Sequence, residues 1–171
     1  MKWVILIAGA LVLLVGLAAM IGAMLPRDHH ATRKAHFRAR PEVIYAVLDG
    51  PPDWRTGVKG FGELPARDGR QQWWEQDTHG QKVTFELVED SPPTRRVVRI
   101  ASQGLPFGGT WTFDITPAAD GGADLRIHED GEIYNVIFRF MGRYIFGYTS
   151  SIEQFLRDLG AKFGEAAVIE S

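Results

Sequence analysis

The chain of 171 residues carries 21 acidic and 19 basic side chains, a formal net charge of −2, and no cysteine. That length favours one domain, and the absence of a clustered basic excess argues against a nucleic-acid partner. Disulfides, thiolate nucleophiles and cysteine zinc sites are excluded with the cysteines.

The first element is apolar. Trp3 to Leu25 contains no charged residue and is rich in Leu, Val, Ile, Ala and Gly. As a helix rising about 1.5 Å per residue it spans roughly 35 Å, enough to cross a bilayer core of about 30 Å with some tilt. A cleaved signal peptide has an apolar region of only about 7–15 residues, ended by a small-x-small site. This stretch is longer, and no Ala-x-Ala precedes Pro26. Residues 1–25 are therefore expected to be a retained single-pass anchor, with the lipid bilayer as partner through residues 3–25. Ala18 and Gly22, small and four apart, let helices pack closely. Arg27, Arg33, Lys34, Arg38 and Arg40 follow the span against Asp28, which by the positive-inside rule favours a cytoplasmic domain.

Residues 26–30 read as a linker. From Ala31 to Arg40, Ala35, Phe37 and Ala39 alternate with Lys34, His36, Arg38 and Arg40, the period of a half-buried strand. Pro41 opens a short helix with Val43, Ile44, Val47 and Leu48 on its apolar side. Gly50-Pro51-Pro52 ends it, and Asp53-Trp54-Arg55 forms one further turn. Six strands are expected near Val58–Leu64, Arg70–Gln76, Gln81–Glu89, Arg95–Ser102, Gly109–Thr116 and Ala123–Tyr134, cut by Gly-, Pro- and Asp-rich turns. From about Asn135 to Phe163 the period becomes helical, with Phe138, Met141, Ile145, Tyr148, Ile152, Phe155, Leu159 and Phe163 in one stripe. Residues 166–171 read as a tail. Short separators favour antiparallel neighbours, and a single sheet must cover the stripe of the helix. The expected fold class is α+β: a curved seven-stranded antiparallel sheet around a long C-terminal helix over residues 31–165, preceded by a single transmembrane helix.

Several segments carry a resemblance. They are Ala39-Arg40-Pro41-Glu42-Val43-Ile44-Tyr45-Ala46-Val47-Leu48, then Asp53-Trp54, then Gly108-Gly109-Thr110-Trp111-Thr112-Phe113. Glu129-Asp130-Gly131-Glu132-Ile133-Tyr134-Asn135 and the aromatic final helix complete the set. Together they resemble the START-like (SRPBCC) superfamily, the helix-grip fold of polyketide cyclase/dehydrase-like and lipid-transfer proteins. The resemblance implies a hydrophobic cavity between sheet and helix, with ligands from sterols and lipids to polyketides. It supplies no universal catalytic residue and implies no cofactor.

The cavity-facing residues follow from hairpin register. A four-residue loop over Asp77–Gly80 pairs Gln76 with Gln81 and puts Trp74 on one face with Val83, Phe85 and Leu87, leaving Trp73 outside. A loop at Ser91–Thr94 adds Val98 and Ile100 to the Phe85 face. A loop at Ala118–Gly122 pairs Phe113 with Ile127 and Trp111 with Glu129, which aims a carboxylate at an apolar face where it loses water. Such a group marks functional sites. The final helix offers Met141, Tyr144, Ile145 and Tyr148 as the opposite wall, with Arg143 as a partner for Glu129 or as a solvated arginine. The expected ligand-binding set is Trp74, Phe85, Ile100, Trp111, Phe113, Ile127, Glu129, Met141, Tyr144, Ile145 and Tyr148, with Glu129 the one candidate acid or base.

Other constellations fail. His29 and His30 read as a linker pair, His36 and His128 fall on polar strand faces, and His79 sits in a turn, so no metal site is expected. Ser150 and Ser151 lack a nucleophile motif, and the Gly108-Gly109 and Gly121-Gly122 runs lack the following Lys of a phosphate loop. Three functions stay open, the first leading: a membrane-anchored binder or carrier of a lipid, quinone or polyketide-like molecule; a cyclase- or dehydratase-like enzyme using Glu129; and a structural module whose cavity is filled.

Overall fold

The computed structural model of the protein describes residues 1–170. Helix α1 (Lys2–Met24) runs unbroken and is long and apolar enough to cross a membrane. Most of it is exposed, but Ala18, Ala19, Ile21, Gly22 and Leu25 are shielded. They meet helix α3 (Val136–Met141), and a Cβ on Gly22 would overlap the carbonyl of Val136. The small-residue spacing thus serves a contact within the chain. The last carbonyls of a helix have no partner inside it. Here Arg139, a buried arginine, donates to Gly22 O at 3.3 Å and Leu25 O at 3.1 Å, and to Tyr134 O at 3.1 Å.

The remaining chain forms an eight-stranded antiparallel sheet. Its strands are β1 (Asp28–Phe37), β2 (Val58–Arg67), β3 (Arg70–Asp77), β4 (Lys82–Ser91), β5 (Arg95–Ile100), β6 (Phe107–Pro117), β7 (Ala123–Ile133) and β8 (Val168–Glu170). Their order across the sheet is β2-β3-β4-β5-β6-β7-β1-β8. Between β1 and β2 lie helix α2 (Pro41–Asp49), opened by proline at its first position, and a 3-10 turn, Pro52–Trp54. Pro65 is confined to β2, an edge strand where its missing N–H costs no ladder bond.

The core lies at one half of the sheet. Helix α4 (Ser150–Phe163) buries Ile152, Phe155, Leu156 and Leu159 against Ala35 and Phe37 of β1, Phe113 and Ile115 of β6, and Leu125 and Ile127 of β7. Ile44 and Tyr45 of α2 close the same cluster. Each fully buried aliphatic side chain contributes about 1.5–3 kcal/mol. Strands β2 to β5 extend beyond this helix, and the space over them is not filled by it.

Four expectations are corrected. The final helix is not continuous: α3 passes into a π-helical turn, Gly142–Phe146, and the backbone breaks at Gly147, whose φ of +76° a side chain resists. The stripe from Phe138 to Phe163 is therefore two surfaces rather than one. The expected tail holds β8, which pairs with β1 through Ile169 opposite Ala35 and makes the sheet eight-stranded rather than seven-stranded. The expected linker is nearly absent, since β1 begins at Asp28. Finally, the loop between β3 and β4 holds five residues, because Gln76 pairs with Lys82. Asp77 bonds across it, its amide donating to Gln81 O and its Oδ1 accepting from the Gln81 amide. One added residue reverses every facing. Trp73 therefore stands opposite Phe85 on the helix-covered face, and Trp74 lies outside beneath the Lys82 ammonium, 3.9 Å from the ring centre.

This arrangement separates two substitutions. Ile127→Ala, in the closed core, is expected to cost about 2–5 kcal/mol. Trp74→Ala, on the outer face, loses only the Lys82 contact and packing over Gly60 and Gly62 and is expected to cost about 1–2 kcal/mol despite the larger side chain. Denaturant melts of the two variants in mild detergent measure the difference; equal losses would contradict the register.

Candidate functional site

The space that α4 leaves over the sheet is a cavity of about 690 Å3, within the roughly 300–1,000 Å3 of small-molecule sites. Phe155 divides it from the core. Its ring packs against Trp54 at 5.2 Å, Phe113 at 5.4 Å and Trp111 at 5.7 Å, centre to centre. Beyond these rings the wall continues through Phe85, Val98 and Ile100, with Trp73 stacked on Phe85 at 5.8 Å.

Two polar clusters interrupt this apolar wall. At the end near α1, alternation along β7 carries Glu129 onto the cavity face opposite Trp111. Its partner comes from β1. His29 Nε2 lies 3.6 Å from Glu129 Oε1, and the two side chains are only 10% and 16% exposed. Ser151 Oγ donates to the other carboxylate oxygen at 3.4 Å. The imidazole is held flat. On one side it covers Gly131, directly opposite His29 in the ladder, where a Cβ would overlap the ring. On the other it stacks on Tyr148 at 4.4 Å and 18°. Its Nδ1 is buried and has no hydrogen-bond partner. Buried polar atoms are nearly always paired; this nitrogen is an exception, and it is covered by its neighbours rather than open to the cavity. An imidazole beside a carboxylate can accept and donate hydrogen bonds and can pass a proton between them.

At the opposite end, Arg96 is 4% exposed and bridges Asp49 at 2.7 Å and Asp90 at 3.4 Å, while Arg55 reaches Glu75 at 2.6 Å. Tyr45 donates to the same Asp90. Burial first, and the hydrogen bond to Asp90 second, push the Tyr45 phenol up to about 12. The Nε1 of Trp54, another cavity residue, is buried without a partner.

The sequence-derived residues divide. Phe85, Ile100, Trp111, Phe113, Glu129, Met141 and Tyr148 line the cavity. Trp74 does not, for the register reason above. Ile127 is fully buried in the core behind the cavity. Tyr144 and Ile145 are 60% and 61% exposed, because the π-helical turn rotates them off the stripe. Arg143 is exposed and does not meet Glu129. Sequence reasoning misses His29, since residues 26–30 read as linker although β1 begins at Asp28. Its signal was phase: it sits two residues before Ala31 and four before Arg33, on the inward parity of the strand. Trp73, Trp54 and Arg96 were missed as well.

Cross-strand pairing also gathers residues far apart in sequence on the outer face. His30 Nδ1 lies 2.6 Å and His128 Nε2 3.1 Å from Asp130 Oδ1, and Thr32 Oγ1 is 2.7 Å from the other nitrogen of His128. The potential metal-ligand atoms of His30, His128 and Asp130 lie within 4.8 Å of one another, a convergence invisible in linear spacing. The hydrogen bond from His30, and then that from His128, hold the Asp130 carboxyl below its ordinary value.

With this geometry in view, the comparisons are specific about fold alone. No family model and no curated protein matches the chain. Solved structures do. A conserved protein from Geobacillus kaustophilus superposes with a TM-score of 0.67 at 15% identity, over 84% of this chain and 100% of its own. A protein from Mesorhizobium loti gives 0.60 at 17% identity, over 80% and 97%. Norcoclaurine synthase from Thalictrum flavum gives 0.60 at 11% identity, over 81% and 87%. The chain therefore has a helix-grip, Bet v1-like fold, preceded by an apolar helix.

The Tyr45 environment yields a pH dependence. Its folded value lies above the ordinary phenol value of about 10, so the folded state holds the proton more tightly. The stability this contributes is intact below pH 10 and falls as pH rises toward 12. Absorbance at 295 nm should show one tyrosine ionising near 12 in the folded protein, and Tyr45→Phe should remove that step and flatten the alkaline loss of stability.

Proposed function

We propose that the protein is a membrane-anchored binder or carrier of a hydrophobic small molecule, held in the sheet–helix cavity with its polar group at His29 and Glu129. The observation that carries this reading is the cavity itself: about 690 Å3, walled by aromatic and aliphatic side chains, with the His29–Glu129 pair at one end. A filled structural module would need neither feature. The ligand class is an extended or fused-ring apolar molecule with one hydrogen-bonding group, such as a lipid, quinone or polyketide-like compound.

Retention of the anchor is supported by its packing. A leader cleaved after Leu25 would take away two of the three backbone carbonyls that accept from Arg139 and uncover α3. We place the domain on the cytoplasmic side by the positive-inside rule. Of the basic residues behind that assignment, Arg33, Lys34 and Arg38 are bonded within the domain, to Glu153, Asp124 and Glu165. Protease added to sealed, inside-out vesicles should digest the domain; protection there and digestion in right-side-out vesicles would reverse the assignment.

Binding is tested on the full chain. Native mass spectrometry after mild detergent extraction should show a bound lipid-sized molecule. Trp54, Trp73 and Trp111, three of the five tryptophans, line the cavity, so ligand addition should change the intrinsic fluorescence. Val98→Trp, which fills the cavity opposite Trp111, is expected to abolish the bound mass and the fluorescence response while the protein stays folded. A wild-type protein that carries no ligand and responds to no fatty acid, isoprenoid or quinone would refute the reading.

A further inference from the structure

We propose that the cavity opens against the bilayer itself: α3 and the π-helical turn form a second membrane contact beside α1, and ligand passes between lipid and cavity without crossing water. This rests on the reading of α1 as an anchor and of the cavity as a binding site, and it adds where the mouth lies and what covers it.

Gly22 touches Val136, and Gly22 lies three residues before Leu25, the end of the apolar span. At about 1.5 Å per residue this sets the start of α3 roughly 5 Å inside the end of that span. Helix α3 is thus fixed at the depth of the bilayer surface by the element that crosses it. The surface it presents there is apolar. Phe138, Tyr144, Ile145 and Phe146 are 43%, 60%, 61% and 61% exposed within nine residues, whereas the other exposed large apolar side chains of the sheet and α2 are scattered. Contiguous exposed apolar surface of this kind marks an interaction site. Its composition fits an interface: aromatic rings at headgroup level, and exposed Arg27 and Arg143 where phosphates lie. Continuity with α1 commits the patch to lipid rather than to a soluble partner.

Phe138 and Phe146 are both cavity-lining and exposed, so they form part of the rim. Met141, Gly142 and Tyr148 continue inward from them to His29 and Glu129. A molecule entering tail-first or ring-first from the bilayer would stay on apolar surface and meet the polar pair just inside. The break at Gly147 makes this possible, because a continuous helix would have turned Ile145 into the core.

The chain has no cysteine, so single-cysteine variants carry a spin label cleanly. Tyr144→Cys and Ile145→Cys are compared with Ala119→Cys in nanodiscs of phosphatidylcholine and phosphatidylglycerol, with the full chain. Ala119 lies in the turn before β7, about ten strand residues from the α3 end and so roughly 33 Å away. The labels at 144 and 145 should be accessible to oxygen and shielded from a water-soluble nickel chelate, and the label at 119 the reverse. Nickel access at 144 and 145 equal to that at 119 would overturn the proposal. Shielding from both reagents with dipolar broadening would overturn it in favour of a second copy of the chain. A functional arm uses Tyr144→Asp/Ile145→Asp, neither residue lining the cavity. Uptake of a fluorescent fatty acid from vesicles should slow roughly tenfold, while binding of the same fatty acid from detergent micelles is unchanged; an unchanged vesicle rate would overturn the membrane mouth. A wild-type protein that takes no fatty acid from micelles would instead fail the binding reading and leave the depth measurement to judge the contact alone.

Discussion

The structure depends on one register, the pairing of β1 with β7. It begins with Asp28 opposite Glu132 and runs without a bulge to Phe37 opposite Ala123. Because β1 starts four residues after α1 ends, this ladder fixes the apolar helix to the end of the sheet. The same ladder sets His29 against Gly131 and Ala31 against Glu129, so the polar pair of the cavity is made by two adjacent strands rather than by a loop. A slip of one residue would turn His29 outward and bury His30. Apolar helix, core and polar pair therefore stand or fall together.

The uneven coverage of the sheet has an energetic reading. Core residues of β1, β6 and β7 are sealed by α4, while β3 to β5 present Trp73, Phe85, Val98 and Ile100 to an unfilled space. Apolar side chains left facing a void forgo the dispersion contacts that close packing supplies. The close packing that stabilises the domain lies in one half of it, and the unfilled space in the other. Ion pairs brace the far end: Arg96 is nearly inaccessible yet paired with two aspartates, as a buried charge requires.

Much of this was legible in the sequence, and the failures have identifiable causes. Strand existence, the antiparallel order and the pairing of Trp111 with Glu129 follow from alternation and from turn residues that define a loop of odd length. The β4–β5 facing also follows, although by compensation: a three-residue loop and a bulge at Val88 offset each other, so Val98 and Ile100 still reach the Phe85 face. The β3–β4 facing does not follow, because the loop length turns on one side chain, Asp77, bonding across it. The broken final helix was signalled only by Gly142 and Gly147, whose cost as helix residues is about 1 kcal/mol each and whose positions do not say where the chain turns. His29 was hidden by its neighbour on the chain, since a strand continuing directly from a helix leaves no separator to read.

Gly131 shows how closely fold and chemistry are joined here. In a strand interior, glycine weakens the ladder and packs nothing. Its place in β7 is explained by what lies over it: the His29 ring occupies the volume of the missing Cβ and is clamped from above by Tyr148. Tyr148 stands just after the break at Gly147, so the conformation that exposes Ile145 and Phe146 also delivers the ring that orients the imidazole. The polar group of the cavity is thus positioned by the same backbone departure that opens the helix face beside α1. Orientation of the imidazole and access to it are set by one feature of the chain, and neither can change without the other.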